Sequence, residues 1–210
     1  MIIALSGYAG SGKDAVGKTI CELYPEWHVK KFSGKLKEIA SMLTGLSVSD
    51  FEDHLVKQMT LEGYGMTVRD FLQKLGTDAI RNNLHQDAWV NALISEYNRS
   101  ISFKKVCSVC NKESTMSICM SCKTNTLVDK SNTNWVVTDC RFPNEAEQIK
   151  KCGGLVVRVK RPYSKPVNGH ISEIALDNYD FDYTLHNDND IEYLVTKVKF
   201  MFRKLGITAH

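Results

Sequence analysis

The stretch Ile2-Ile3-Ala4-Leu5-Ser6-Gly7-Tyr8-Ala9-Gly10-Ser11-Gly12-Lys13-Asp14 decides the fold. Its first five residues are a short apolar run, which predicts a buried strand over Ile2–Ser6 that stops at Gly7. Gly7, Gly10 and Gly12 then permit a tight backbone path, and a helix is expected from about Lys13 to Leu23. Strand, glycine loop and helix in that order aim several backbone N–H groups and a helix N-terminus at one point, an arrangement suited to phosphate.

Two overlapping registers fit the pattern G-x-x-x-x-G-K-[ST]. Gly7 to Asp14 has Asp where Ser or Thr is usual, whereas Gly12 to Thr19 fits the letters without exception. Only the first follows a strand directly, and the second makes a loop of residues that suit the first turns of a helix. The first register is therefore chosen. In it Gly7, Gly10, Ser11, Gly12, Lys13, Asp14 and Ala15 form the nucleotide-phosphate cradle, with the Lys13 ammonium reaching the β- and γ-phosphates. Asp14 replaces the usual Mg²⁺-binding hydroxyl and is expected to hold that ion directly or through water.

Outward from this loop, strands and helices alternate. A second strand is expected over 28–32, and a helix capped by Ser33 carries Leu36, Ile39, Ala40 and Leu43 at helical spacing. Ser49 and Glu52 make a capping-box pattern, and 63–65 is a break. Thr67 opens an amphipathic helix with Val68, Phe71, Leu72, Leu75 and Ile80, and another helix covers about 87–97. An apolar run over 135–138 ends at Asp139, a carboxylate at the C-terminal end of a strand, where open α/β sheets bind ligands and where Mg²⁺ is organised in phosphate-loop enzymes. Arg141 follows, and Glu145 lies in the first turn of a helix begun near Pro143 and ended by Gly153 and Gly154. Strands at 155–159 and Tyr183–His186, a short helix near 171–176 and a last helix striped by Ile191, Leu194, Val195, Val198, Phe202 and Leu205 complete the pattern. The fold class expected is α/β, a P-loop fold with about five mainly parallel strands flanked by helices.

Residues 100–133 differ, being rich in Cys, Ser, Thr, Asn and Lys with little periodicity. Cys107-x-x-Cys110, eight residues, and Cys119-x-x-Cys122 form a tetrathiolate pattern suited to structural Zn²⁺, the metal supplying folding free energy to a segment too short to bury a core. The domain expectation is a P-loop core over 1–99 and 134–210, a helical acceptor-binding region over about 33–90 within it, and a Cys₄ zinc-ribbon-like insert over 100–133. Cys21, Cys140 and Cys152 are expected to be ordinary buried thiols.

The remaining composition is bounding rather than specific. With 210 residues, 43% hydrophobic content and a net charge of +3, the chain suits one well-buried domain and lacks the strong basic excess of a nucleic-acid coat. No export signal or membrane span is read, and the cysteine spacing suits a reducing cytosol. Among arginines near the expected pocket, Arg81 and Arg141 are favoured over Arg69, Arg158 and Arg161, because phosphoryl transfer to an anionic acceptor needs charge neutralisation more than a base.

Several stretches resemble the tailed-bacteriophage deoxynucleoside monophosphate kinases. They are Thr67-Val68-Arg69-Asp70-Phe71-Leu72-Gln73-Lys74-Leu75-Gly76-Thr77-Asp78 followed by Arg81, Asp87-Ala88-Trp89-Val90, Thr138-Asp139-Cys140-Arg141-Phe142-Pro143-Asn144-Glu145, Gly153-Gly154 and His170-Ile171-Ser172-Glu173. The resemblance implies an adenylate-kinase-like fold, ATP and Mg²⁺ served by Lys13 and Asp14, and an acceptor and transfer site built from Arg81, Trp89, Asp139, Arg141 and Glu145. It also implies a host-cytoplasmic setting, small-molecule nucleotides as partners, and an oligomeric state that can be a homodimer. Tyr183-Thr184-Leu185-His186-Asn187-Asp188 is similar to the loop that borders adenine in such kinases. The alternatives are a P-loop kinase of a hydroxyl acceptor, resembling dephospho-coenzyme A kinase, and a zinc-containing nucleic-acid-binding module with a nucleotide switch.

Overall fold

A computed structural model describes residues 1–102, 105–114, 118–129, 134–165 and 174–207. Within them the chain divides into one unit of residues 1–29 and 93–210 and another of residues 30–92. Residues 171–173 of the expected helix near 171–176, the His170-to-Glu173 stretch and parts of the 100–133 segment lie outside the described residues.

The first unit is organised by a five-stranded sheet. Strand β1 (Ile2–Ser6) is buried at every position and leads through the glycine loop into helix α1 (Lys13–Leu23). Strand β2 (Trp27–Lys30) ends two residues earlier than the apolar pattern suggests, because the chain turns at Lys31, whose carbonyl accepts the Gly34 N–H. The other strands of this sheet are β8 (Asn134–Val137), β9 (Leu155–Lys160) and β10 (Tyr183–His186). The spatial order is β10-β9-β1-β8-β2, with β1 parallel to both β8 and β9, and β9 parallel to β10. Sequence order is broken on either side of β1, so the loop after β1 opens at the point where connections diverge, the usual ligand crevice of such sheets.

Helix α5 (Pro143–Lys151) starts on proline and is ended by Gly153, whose φ of 71° suits a residue without Cβ. The last helix, α6 (Ile191–Lys204), is capped by the Asp190 side chain on the Tyr193 N–H. Its Leu194, Val198, Met201 and Phe202 join Ile3, Leu5, Val16, Ile20, Val157 and Val159 in one core. Phe202 stacks on Tyr24 and meets Trp27 edge-on. Val195 and Leu205 are half-buried and Ile191 is exposed, so the buried stripe is narrower than the sequence pattern.

Between the described parts of 105–129, strands β5 (Lys105–Cys107), β6 (Glu113–Ser114) and β7 (Leu127–Asp129) make a separate antiparallel sheet in the order β6-β5-β7.

The second unit is mainly helical, with a small core of Ala40, Phe51, Leu61, Val68 and Phe71. Helix α2 (Gly34–Thr44) follows Ser33, but the Ser33 side chain makes no cap bond, since its backbone is already in a helical turn rather than extended. The Ser49/Glu52 capping box is likewise not formed. Ser49 bonds the Ser47 hydroxyl, and the Glu52 carboxylate is drawn to Lys31 and Lys37. A two-stranded ribbon, β3 (Thr60–Leu61) with β4 (Met66–Thr67), leads to α3 (Val68–Gln73), where Thr67 does cap, accepting the Asp70 N–H at 3.1 Å. The helix then widens into nine π-helical residues, Lys74–Asn82, before α4 (Ala88–Ser102), which runs further than the sequence pattern.

Candidate functional site

The two loop registers place their residues differently. Lys18 and Thr19 of the alternative register lie inside α1. Lys18 is exposed and pairs with Glu22 one turn on, and Thr19 is buried. In the chosen register, Lys13 turns back over the loop and donates to the carbonyls of Gly7 at 2.6 Å and Tyr8 at 2.8 Å. Its ammonium is thus held over the loop by acceptors that phosphate oxygens replace in kind.

Gly7 and Gly12 are required by contact. A Cβ on Gly7 would stand 2.4 Å from the Val159 carbonyl, and one on Gly12, whose φ is 93°, would stand 2.1 Å from Asn187 Nδ2. Asn187, at the end of β10, donates that amide to the Ser11 carbonyl at 3.0 Å, fixing the loop from outside. The Ser11 hydroxyl is fully buried and has no hydrogen-bond partner among the described residues. An orphaned hydroxyl inside a loop of left-handed glycines, at the start of a helix, fits a polyanion that brings its own acceptors.

Asp14 accepts a 2.8 Å hydrogen bond from the Thr138 hydroxyl on the strand end preceding Asp139. The familiar arrangement has the hydroxyl on the loop and the carboxylate on the strand. Here Asp14 carries the carboxylate and Thr138 the hydroxyl, and a Cβ on Gly17 would collide with the Thr138 methyl at 2.5 Å. Asp139 follows Thr138 directly and is half-buried.

Glu145 is buried, and its Oε2 accepts the N–H groups of Arg141 at 2.8 Å and Phe142 at 3.1 Å. It therefore shapes the turn that presents Arg141, which is half-buried. Arg158 is committed elsewhere. It is buried, pairs with Asp177 at 2.8 Å, donates to Ser6 Oγ at 3.3 Å and lies 4.7 Å from the centre of the Tyr8 ring. Tyr8 donates its hydroxyl to Asp177 at 2.9 Å, and burial followed by that bond raises its phenol above the ordinary value. This network braces the base of the loop, and an arginine within a strand gave no sequence signal of it.

Arg81 and Trp89 belong to the second unit. Arg81 is half-buried in the π-helical segment, a form found often at functional sites. Trp89 is buried, and its indole N–H donates to the Gly76 carbonyl at 3.0 Å, holding that segment at its middle.

The four cysteines converge, with sulfurs all within 4.8 Å of one another. They arrive on two turns of the same make. Asn111 N–H bonds Cys107 O at 2.9 Å and Lys123 N–H bonds Cys119 O at 2.7 Å. The amides of Cys107 and Cys119 bond the carbonyls of Lys112 and Thr124 at 3.0 Å each, and Asn111 and Lys123 both have φ of 54°. Thr124 lies 3.1 Å from the Cys122 sulfur and Thr126 3.5 Å from the Cys107 sulfur. The Thr126 hydroxyl, then the Cys110 amide, pulls the Cys107 thiol down to about 5. Two closed turns and four sulfurs fit a tetrahedral thiolate site. Of the other thiols Cys140 is buried and Cys21 half-buried, but Cys152 is exposed at the end of α5, against the expectation. No thiol is in a disulfide.

Sheet, loop and carboxylates together define a P-loop α/β protein. Within that class the chain is similar to the deoxynucleotide monophosphate kinases, whose family model matches residues 104–198. It is 28% identical over 136 residues to the deoxynucleotide monophosphate kinase of Enterobacteria phage T4, covering 63% of this chain and 44% of that one. It is 25% identical over 201 residues to a putative deoxynucleotide monophosphate kinase of Acanthamoeba polyphaga mimivirus, covering 94% of each. The enzyme of the same name from Escherichia phage RB69 is 23% identical over 167 residues, covering 79% of this chain and 57% of its own. The chain thus spans about half the length of the two phage relatives. No described helix is long and apolar enough to cross a membrane.

Proposed function

We propose that this chain is an ATP-dependent deoxynucleoside monophosphate kinase, moving the γ-phosphoryl group of ATP to a dNMP to give dNDP and ADP. The observation that carries the reading is the loop between β1 and α1, where Lys13, the glycines and the orphaned Ser11 hydroxyl form a cradle for a polyphosphate. The names of the relatives point the same way.

In this reading the loop amides and Lys13 bind and orient the donor phosphates, and Thr138 aims Asp14 toward the metal side beside Asp139. Mg²⁺, when bound, neutralises charge on the donor phosphates. Arg141, set by the Glu145 cap, offsets charge on the equatorial oxygens as an acceptor phosphate oxygen bonds to the γ-phosphorus and the bond to the ADP oxygen breaks. Residues 30–92 form the acceptor side, Trp89 steadying the segment that carries Arg81. Cys107, Cys110, Cys119 and Cys122 would hold a structural Zn²⁺, which would supply folding free energy to that segment. The working partners are small nucleotides, in a host cytoplasm.

Initial rates of ADP release over the common dNMPs, NMPs and hydroxyl acceptors test the assignment. Turnover on dNMPs supports it, and turnover confined to hydroxyl acceptors overturns it. For the metal, elemental analysis of reduced protein is expected to find about one Zn per chain, lost with a Cys110→Ser substitution.

A further inference from the structure

The two cysteine turns match in backbone and differ in one side chain. In each, the amide of the residue after the second cysteine bonds the carbonyl of the first, and the first cysteine's own amide bonds the carbonyl one residue further on. Lys112 and Thr124 therefore hold equivalent places. A lysine has no hydroxyl to offer the first turn. In the second turn the Thr124 hydroxyl lies 3.1 Å from the Cys122 sulfur and 3.7 Å from the Cys107 sulfur. Thr126, just before β7, reaches the same side from the first turn. Ser108 gives its N–H at 3.0 Å and its hydroxyl at 3.1 Å to the Thr126 carbonyl, and the Thr126 hydroxyl stands 3.5 Å from the Cys107 sulfur. The two threonine oxygens are 2.7 Å apart, an ordinary O–H···O length.

A path of hydroxyls thus runs from sulfur to sulfur, through Cys107, Thr126, Thr124 and Cys122. It joins the first ligand of the four to the last, whose sulfurs are 3.3 Å apart. Each hydroxyl has a single proton. At 2.7 Å one of the two protons lies between the oxygens, which leaves the other for sulfur. Neither hydroxyl therefore acts alone: one donates to sulfur, and the other polarises it into a stronger donor. Four thiolates around a dication leave an excess of negative charge, and hydrogen bonds to the ligating sulfurs spread it. The pair also ties the second turn to the chain beside the first, which fixes the spacing of two ligands.

We propose that Thr124 and Thr126 work as one hydroxyl pair that supports the metal-binding thiolates on the Cys107 and Cys122 side and sets how tightly the ion is kept. The proposal rests on the reading of the four cysteines as a Zn²⁺ site. Both threonines are positioning residues, since they touch ligating sulfurs and supply no ligand themselves.

The test uses the full reduced chain loaded with Zn²⁺ or with Co²⁺. Competition against a chelator reads Zn²⁺ affinity, and the sulfur-to-cobalt charge-transfer band reads the ligating sulfurs directly. Thr124→Val keeps the branched shape and removes the hydroxyl. It is expected to weaken Zn²⁺ binding roughly 10- to 100-fold, the usual worth of a hydrogen-bond partner to a metal ligand. The Co²⁺ band is expected to move to longer wavelength, because a sulfur that loses a hydrogen bond gives up its electrons more readily. Thr126→Val, at an exposed position where packing is little disturbed, is expected to act in the same direction. The double variant is expected to lose no more than the larger single loss, since the pair acts as a unit. Thr124→Ser restores the hydroxyl without the methyl and is expected to keep wild-type affinity, which a loss of packing alone does not permit. Should Thr124→Val fail to fold, Thr126→Val and Thr124→Ser decide the matter. Wild-type Zn²⁺ affinity and an unmoved Co²⁺ band in the valine variants overturn the pair and leave the zinc site standing. Single losses that add in the double variant overturn the unit. A wild-type chain that takes up neither ion overturns the zinc reading and the proposal together.

Discussion

In the first unit, the anion cradle is made of backbone. A run of eight residues from Gly7 to Asp14 supplies turns, amides and one lysine, and a buried sheet fixes where the run begins. In the second unit, charge is held by side chains on a small helical core, with the Glu52 carboxylate accepting from Lys31 and Lys37 and Lys57 donating to the Glu52 carbonyl. The difference teaches how each tolerates change. A backbone cradle fails when Gly7 or Gly12 gains a Cβ or the lysine is lost, because geometry is its main asset. A side-chain cluster shares its load, so each single loss is partial.

The contrast is sharpest for Lys13→Ala. Turnover is expected to fall roughly 10³-fold or more in kcat/KM, with an unchanged circular dichroism spectrum. Retained turnover ends the assignment of the loop. Arg141→Ala, which leaves the cradle intact, is expected to lower kcat/KM by roughly 10²-fold, mostly in kcat; a near-normal value makes Arg141 a surface residue. Gly12→Ala attacks the cradle through its shape. The Cβ must displace Asn187 from a residue already at positive φ, and a stability loss of about 1–3 kcal/mol, read as a lower Tm with weakened ATP binding, is expected. An unchanged Tm shows that the loop yields, and the contrast with the second unit weakens. The smallest effect belongs to the second unit. Thr67→Ala removes the cap of α3 and is expected to cost about 1 kcal/mol, seen as faster amide exchange at residues 68–72 with ATP affinity unaltered.

This contrast also explains what the sequence could carry. The strand Ile2–Ser6, the helix Lys13–Leu23, Pro143 and Gly153 at the ends of α5, and the paired cysteines are local instructions, each read from adjacent residues. Two serine caps were legible in letters and absent in fact, because Ser33 entered its helix already turned and Glu52 found lysines to pair with. Glu145 read as a site carboxylate, yet it is buried under the amides it caps. The roles of Thr138, Arg158 and the lysines around Glu52 were invisible because each depends on a neighbour far along the chain. Thr138 meets Asp14 across 124 positions and Arg158 meets Ser6 across 152. Lysines one at a time read as solvated surface.

The amide of Asn187 reaches the Ser11 carbonyl across 176 positions. The loop and its outer brace are thus far apart along the chain. During synthesis the segment from Gly7 to Asp14 leaves the ribosome early, but its outer brace exists only once β10 has been made and laid beside β9. A chain short of that strand carries the motif without its mould, so the shape of the loop arrives with the completed sheet rather than with the residues that name it.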